Sequence, residues 1–282
     1  MNVIDWAIRI FEGKEISDKL LDSSSIDDYR FKNTKIDLST PGRSKDISFS
    51  SKKIKFPKKI HLKEESNRAK ALAFFANHEL EAIEMMCAAL IKFGGSINDD
   101  EFYKLSRGVV SSIKDEQRHL SLYLNRLHDF GKSISDYPLN DFFWKQFESI
   151  ESFDDFFSLM SLTFEAANLD FCLFYEKIFY EFGDEQTAQI MRNVFIDEIS
   201  HVKLGVYWLN RWRKDDALWD YYVSHLPQNI SPERSKGIEF SLSSRTMSGL
   251  DQEFLKSLID YKSDFLIPKR KTNSNAILQN EF

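Results

Sequence analysis

Apolar residues recur every three or four positions through four long stretches of the chain, roughly 65–93, 99–130, 152–182 and 184–212, and this spacing predicts four amphipathic helices. Helix breakers and caps bound them. The first stretch runs out at Phe93-Gly94-Gly95. The second opens on the capping residues of Ser96-Ile97-Asn98-Asp99 and stops at Gly131, and the third ends at Phe182-Gly183-Asp184. A shorter amphipathic helix is expected within residues 1–20, where Ile4, Ala7, Ile8 and Phe11 fall at helical spacing. Residues 21–60 are rich in Ser, Asp and Lys, contain Thr40-Pro41-Gly42 and keep no period, so they are expected to form a surface-wrapping or partly disordered arm. The connection 136–144, DYPLNDFFW, is too aromatic for a flexible linker and is expected to pack. Past Pro227 and Pro232 the pattern loosens, resumes as a helix around 250–266, and ends in a tail over 268–282. No stretch alternates convincingly with period two, so the fold class is all-α. The chain divides into an N-terminal helix and arm (1–64), a helical core (65–227) and a C-terminal helical extension and tail (228–282).

One pattern repeats inside the core. The second helix contains DEQRHLSLYLNRL from Asp115, and the fourth contains DEISHVKLGVYWLNRW from Asp197. Glu116 and Glu198 are 82 positions apart, as are His119 and His201, so the helix pairs read as two copies of one helical hairpin. The first and third helices match as well: Glu79 is followed five positions later by Glu84, and Glu165 by Asp170, with Cys87 and Cys172 shortly beyond.

Residues three apart on an α-helix lie on one face, about 4.5 Å apart along the axis, so Glu116 with His119, and Glu198 with His201, can grip one ion each. Both pairs belong to apolar stripes, continued by Leu120, Leu124 and Leu127 after His119 and preceded by Val194 before Glu198, which points them inward. Several ionised carboxylates in a water-poor interior repel one another and each costs several kcal/mol to desolvate, so cations are the natural compensation. Glu79, Glu116, Glu165 and Glu198 with neutral His119 and His201 carry a formal charge that two divalent metals neutralise. Carboxylates with one imidazole per ion suit iron, or manganese, better than zinc. Glu79, Glu81 and Glu84 compete as the first-helix ligand, and Glu79 is preferred to Glu84 because it pairs with Glu165 and leaves Glu84 and Asp170 equivalent. Asp115 and Asp197, four residues before His119 and His201, are placed to accept the free ring N–H of the histidine on the opposite helix. His78 reads as a neighbour of the site, and Tyr123 as packed core. Gly205 reads either as space for a ligand or as a close helix contact.

Composition narrows the setting. A formal charge of −6 over 282 residues gives no general argument for nucleic acid or an anionic membrane as partner. The basic run over 52–63 reads as solvated surface. Cys87 and Cys172 cannot build a disulfide framework or a four-cysteine metal site, which suits a reducing compartment. The first residues mix charge with apolar positions and lack the uncharged core of a signal peptide or membrane anchor. A cytoplasmic protein is expected.

The Asp-Glu-x-Arg-His string resembles that of carboxylate-bridged diiron oxygenases. More closely, ELEAIE, DEQRHLSLYLNRL, FEAANLDF, GDE and DEISHVKLGVYWL together resemble a group of bacterial ferritin-like proteins without an established general function. The resemblance covers roughly 70–212. It implies a ferritin-like four-helix bundle of two helical hairpins joined by a long crossover, with a dinuclear metal site. One departure is Asn140-Asp141, where that group tends to have His-Asp before the tryptophan. The expected activity is a dioxygen-activating diiron oxidase or oxygenase acting on a small molecule, with an external electron donor and with Phe75, Phe164 and Phe171 lining a route for oxygen. Competing readings are a peroxidase or ferroxidase of rubrerythrin or ferritin type, a tRNA-modifying hydroxylase, and a non-catalytic metal-stabilised interaction module.

Overall fold

Asn98 and Asp184 begin two of the long helices by accepting the backbone N–H of Glu101 at 2.9 Å and of Thr187 at 3.0 Å, so each satisfies an amide that the first helical turn leaves without a partner. The computed structural model describes residues 1–52 and 54–262. Among these, the regular structure is helical: α1 (Val3–Glu12), α2 (Ile16–Lys19), α3 (Glu65–Phe93), α4 (Asp99–Asp129), α5 (Phe142–Phe147), α6 (Phe153–Glu181), α7 (Glu185–Trp212), α8 (Leu218–Ser224), α9 (Leu242–Met247) and α10 (Gln252–Asp260). Extended pairing is limited to the isolated bridges Asn2–Asp28 and Phe49–Leu139 among the described residues. The tail 268–282 lies outside them.

α3 packs along α4 and α6 along α7, forming two helical hairpins that meet where α4 crosses α7. Gly183, at φ 76°, takes the left-handed conformation that lets the chain leave α6 and turn into α7. The aromatic connection packs as expected: α5 lies on α3, and the Asn140 carbonyl accepts from Asn77 Nδ2 at 3.0 Å while its side chain receives the Phe142 amide at 3.0 Å.

α6 departs from the single regular helix that periodicity predicts. Met160–Glu165 widens into a π turn. Thr163 Oγ1 donates to the Ser158 carbonyl at 2.9 Å and meets the Tyr222 hydroxyl at 3.0 Å, so a side chain and a residue of α8 hold the wider turn in place. α6 is also the one described helix long and apolar enough to span a membrane, but 89% of its apolar window is already buried within the fold.

The flanking segments share the core. One apolar cluster runs from Val3 in α1, through the four long helices, to Leu258 in α10. The arm over 21–60 follows the surface and is anchored by Arg43, whose Nη2 lies 2.7 Å from Glu84 Oε2; Lys19 Nζ reaches the same carboxylate at 3.0 Å. At the other end Arg245 Nη1 and Nη2 grip Asp170 at 2.6 and 2.8 Å, and both partners are fully buried.

Candidate metal centre

The four long helices bring all six predicted donors into one buried interior region. Glu116, His119, Glu198 and His201 project from α4 and α7, Glu79 from α3, and Glu165 from the end of the π turn in α6, with exposures between 0 and 5%. Two overlapping donor groups result. Glu79, Glu116 and His119 offer ligand atoms all within 4.8 Å of one another, and so do Glu116, Glu165 and His201. Glu116 belongs to both groups: Oε2 lies 3.2 Å from His119 Nδ1 and Oε1 lies 3.0 Å from His201 Nδ1. Glu198 adjoins the second group, its Oε2 3.5 Å from His201 Nδ1.

The upstream aspartates sit across the α4–α7 contact. His119 Nε2 lies 2.9 Å from Asp197 Oδ2, and His201 Nε2 lies 3.4 Å from Asp115 Oδ2. An ionised carboxylate only accepts, so each Nε2 donates to the aspartate across the contact, and each Nδ1 faces the interior glutamates, free to exchange a proton for a cation. Arg118 Nη2 lies 3.0 Å from Asp115 and 2.6 Å from Asp197, and holds both in place. Its counterpart in the second motif is Ser200, so one arginine serves both halves. Sequence reasoning did not single out Arg118, although it stands inside the motif. It also missed Asn168, whose Nδ2 donates to Glu198 Oε1 at 2.9 Å and whose position three residues after Glu165 marks it as sharing that face.

The electrostatics are those of acids crowded together out of water. Burial, followed by repulsion from Glu116, raises Glu79 well above the ordinary carboxyl value, and burial raises Glu165 to about 8. Glu198 is raised by burial and then by Glu116. Glu116 behaves oppositely: burial opposes its charge, but the two imidazoles beside it, His119 at 3.2 Å and His201 at 3.0 Å, outweigh burial and hold it well below the ordinary value. Burial disfavours a charged His119, yet Asp197 and Glu116 together lift it to about 9. Without a cation, these shifts favour the protonated forms of Glu79, Glu165 and His119.

The cluster also fits a cation by the test of unsatisfied atoms. Glu165 Oε2, Glu198 Oε2 and His201 Nδ1 are buried and make no aligned hydrogen bond. Buried acceptors of this kind are rare in folded proteins and gain most from a positive ion.

The competing positions fall elsewhere. Glu84 pairs with Lys19 and Arg43, away from the donor groups. His78 stacks on Phe143 at 4.6 Å between centroids. Tyr123 is buried and its hydroxyl faces Met191 Sδ at 3.7 Å. Gly205 makes a close helix contact, since a Cβ there would meet Ser161 Cβ at 2.4 Å. Phe75 and Phe171 both border Tyr175, at 5.4 and 6.4 Å, while Phe164 stacks on Phe143 at 4.3 Å. Cys87 and Cys172 are free, buried thiols.

Fold and site thus define an all-helical protein with a buried carboxylate–imidazole cluster suited to a metal. The chain belongs to the family described as Protein of unknown function (DUF455), whose model matches residues 9–256. No curated protein and no solved structure matches it.

Proposed function

We propose that the four long helices form a ferritin-like bundle whose buried cluster holds two iron ions, manganese being the alternative, and that the protein is an oxidoreductase using dioxygen to oxidise or hydroxylate a small organic molecule. The observation that carries this reading is the pair of three-donor groups sharing Glu116. A shared carboxylate with a separate imidazole on each side is the donor arrangement of dinuclear carboxylate centres. When bound, a ferrous pair supplies electrons for the reduction of dioxygen. The chain's own residues do the rest. Asp115 and Asp197 fix the ring orientation of His201 and His119, Glu116 spans the two halves, and the surrounding apolar helices exclude water.

Anaerobic loading with ferrous iron tests the reading. Elemental analysis is expected to give about two metals per chain, matching the two donor groups, followed by oxygen consumption on exposure to air. Ferrous oxidation with mineral accumulation would instead indicate iron storage, and peroxide-dependent turnover a peroxidase. A loaded site inert to both oxidants would leave a structural role. A protein that folds with unchanged stability and takes up no metal would refute the proposal outright.

A further inference from the structure

The basic run that charge arguments leave as solvated surface lies over the side of the bundle where α3 faces α6. Along residues 166–181 the α6 backbone scarcely approaches α3, and aromatic rings fill the space, with Phe75 and Tyr175 at 5.4 Å between centroids. The segment 54–63 crosses this seam. Its turn Lys59–Lys63 packs on both helices, and the Phe56 ring sits 5.5 Å from Phe75 and 5.3 Å from Tyr175. Phe75 in turn lies 5.6 Å from Tyr123. Phe75 stands one helical turn before Glu79, and Tyr123 one turn beyond His119. Ring contacts therefore lead from the partly exposed Phe56 through Phe75 to Tyr123, one turn from each of two donors. Glu79, on this side, is the most exposed of the six donors at 5%.

Residues 59–63 are held by the buried Leu62 and by Arg68, which donates to the Leu62 and Lys63 carbonyls, but residues 54–57 are fastened more lightly. Among the described residues, 54–57 make no backbone hydrogen bond to α3 or α6, and the ring contacts of Phe56 hold them. Lys55 and Lys58, on either side of Phe56, are exposed and have no carboxylate partner among the described residues, in a chain whose formal charge is −6. An apolar plug flanked by unneutralised cations specifies what displaces it.

We propose that the substrate reaches the Glu79 side of the cluster between α3 and α6 by displacing Phe56, and that it is a small molecule with an apolar body and a single anionic head received by Lys55 and Lys58. This rests on the cluster being the reaction centre. The apolar body replaces the Phe56 ring against Phe75 and Tyr175, while the head exchanges water for two ammonium groups at the rim. A polyanion laid across the same surface would also meet Glu64, Glu65 and Glu181, all exposed, which favours one compact charge over a nucleic acid strand.

The test uses two fluorescent probes with the same aromatic body, anionic 8-anilinonaphthalene-1-sulfonate and neutral N-phenyl-1-naphthylamine, on the full chain loaded with Mn(II). The sulfonate is expected to bind at one saturable site, more tightly than the neutral probe, with its proton lines broadened by the paramagnetic ion. The exposed double variant Lys55→Glu/Lys58→Glu should weaken the sulfonate about tenfold at low salt and leave the neutral probe unchanged, because only the head senses the rim. Phe56→Ala should speed association of both. Equal affinity for the two probes, or a sulfonate affinity indifferent to the lysines, overturns the proposal. So does displacement of the sulfonate by a single-stranded oligonucleotide, which would point to a nucleic acid. Failure to load Mn(II) overturns the metal centre itself, whereas loading without broadened probe lines overturns only this route.

Discussion

Raising the pH from 6 to 8 should tighten metal binding while loosening the metal-free fold. In the metal-free protein His119 titrates at about 9 and Glu165 at about 8, against ordinary values of 6.5 and 4.5. The causes are geometric. His119 is held between Asp197 at 2.9 Å and Glu116 at 3.2 Å, and Glu165 is buried beside like charges. Both folded values lie above the unfolded ones. The stability that each proton contributes is therefore complete below the unfolded value and is lost as pH rises through the folded one: between 6.5 and 9 for His119, and between 4.5 and 8 for Glu165. His119 belongs to one donor group and Glu165 to the other, so each ion must displace at least one proton to gain its ligand. One displaced proton makes affinity rise roughly tenfold per pH unit, hence roughly a hundredfold per ion from pH 6 to pH 8.

Calorimetric titration with Mn(II), which resists oxidation, measures this directly. Repeating it in two buffers of different ionisation enthalpy counts the protons released. The gap in Tm between the Mn(II)-loaded and metal-free chain should widen over the same range, because one state gains stability as the other loses it. A release of no protons, with affinity flat from pH 6 to 8, would show that these side chains do not ligate the ion. A metal-free Tm that climbs over this range would refute the proton-holding description of the cluster.

Glu116→Ala should abolish most metal uptake because Glu116 belongs to both donor groups, whereas Glu79→Ala and Glu165→Ala should each retain about one ion per chain by elemental analysis. Arg245→Met leaves Asp170 buried without its ion-pair partner and should destabilise the fold by about 3–5 kcal/mol, read as a fall in Tm of roughly 10 °C, while Arg245→Met/Asp170→Leu should recover much of the loss. Gly205→Ala drives a Cβ into Ser161 across the α6–α7 contact and should cost about 1–3 kcal/mol by denaturant titration, recovered in Gly205→Ala/Ser161→Gly.

Helix boundaries were legible because their signals are local. The apolar period runs unbroken through Glu65–Phe93 and Asp99–Asp129, and Asn98 and Asp184 mark starts by short-range capping. The six donors were legible because the motif is written twice, which is also why Glu79 could be preferred to Glu84. Features that depend on distant partners were not legible. Arg43 meets Glu84 across 41 positions and Arg245 meets Asp170 across 75, and neither arginine carries a local mark of burial. The π turn was equally hidden, since a shift of hydrogen bonding inside a continuous apolar run changes no residue type. The dual grip of Arg118 on Asp115 and Asp197 depends on how α4 meets α7, which a motif on one helix does not specify.

The likeness of the two hairpins extends past the six donors and gives the flanking segments a part in the core. Glu84 follows Glu79 by five positions and Asp170 follows Glu165 by five, which is about 140° around a helix, so each second acid faces away from the cluster. Cations proposed for the cluster would not neutralise it, and both acids are fully buried. Each receives an arginine from outside the four helices, Arg43 from the N-terminal arm and Arg245 from the C-terminal extension. The two arginines approach from unrelated stretches of sequence, so the shared feature is the need created by the buried acid. A fragment spanning 65–227 would lose the partners of both acids and also uncover the apolar faces that α1 and α10 bury, a loss beyond what a marginally stable domain tolerates. Circular dichroism of that fragment should show no cooperative melting transition. A cooperatively folded fragment would mean that the four long helices suffice for the fold, and the arginines would then be ornaments of it and not conditions for it.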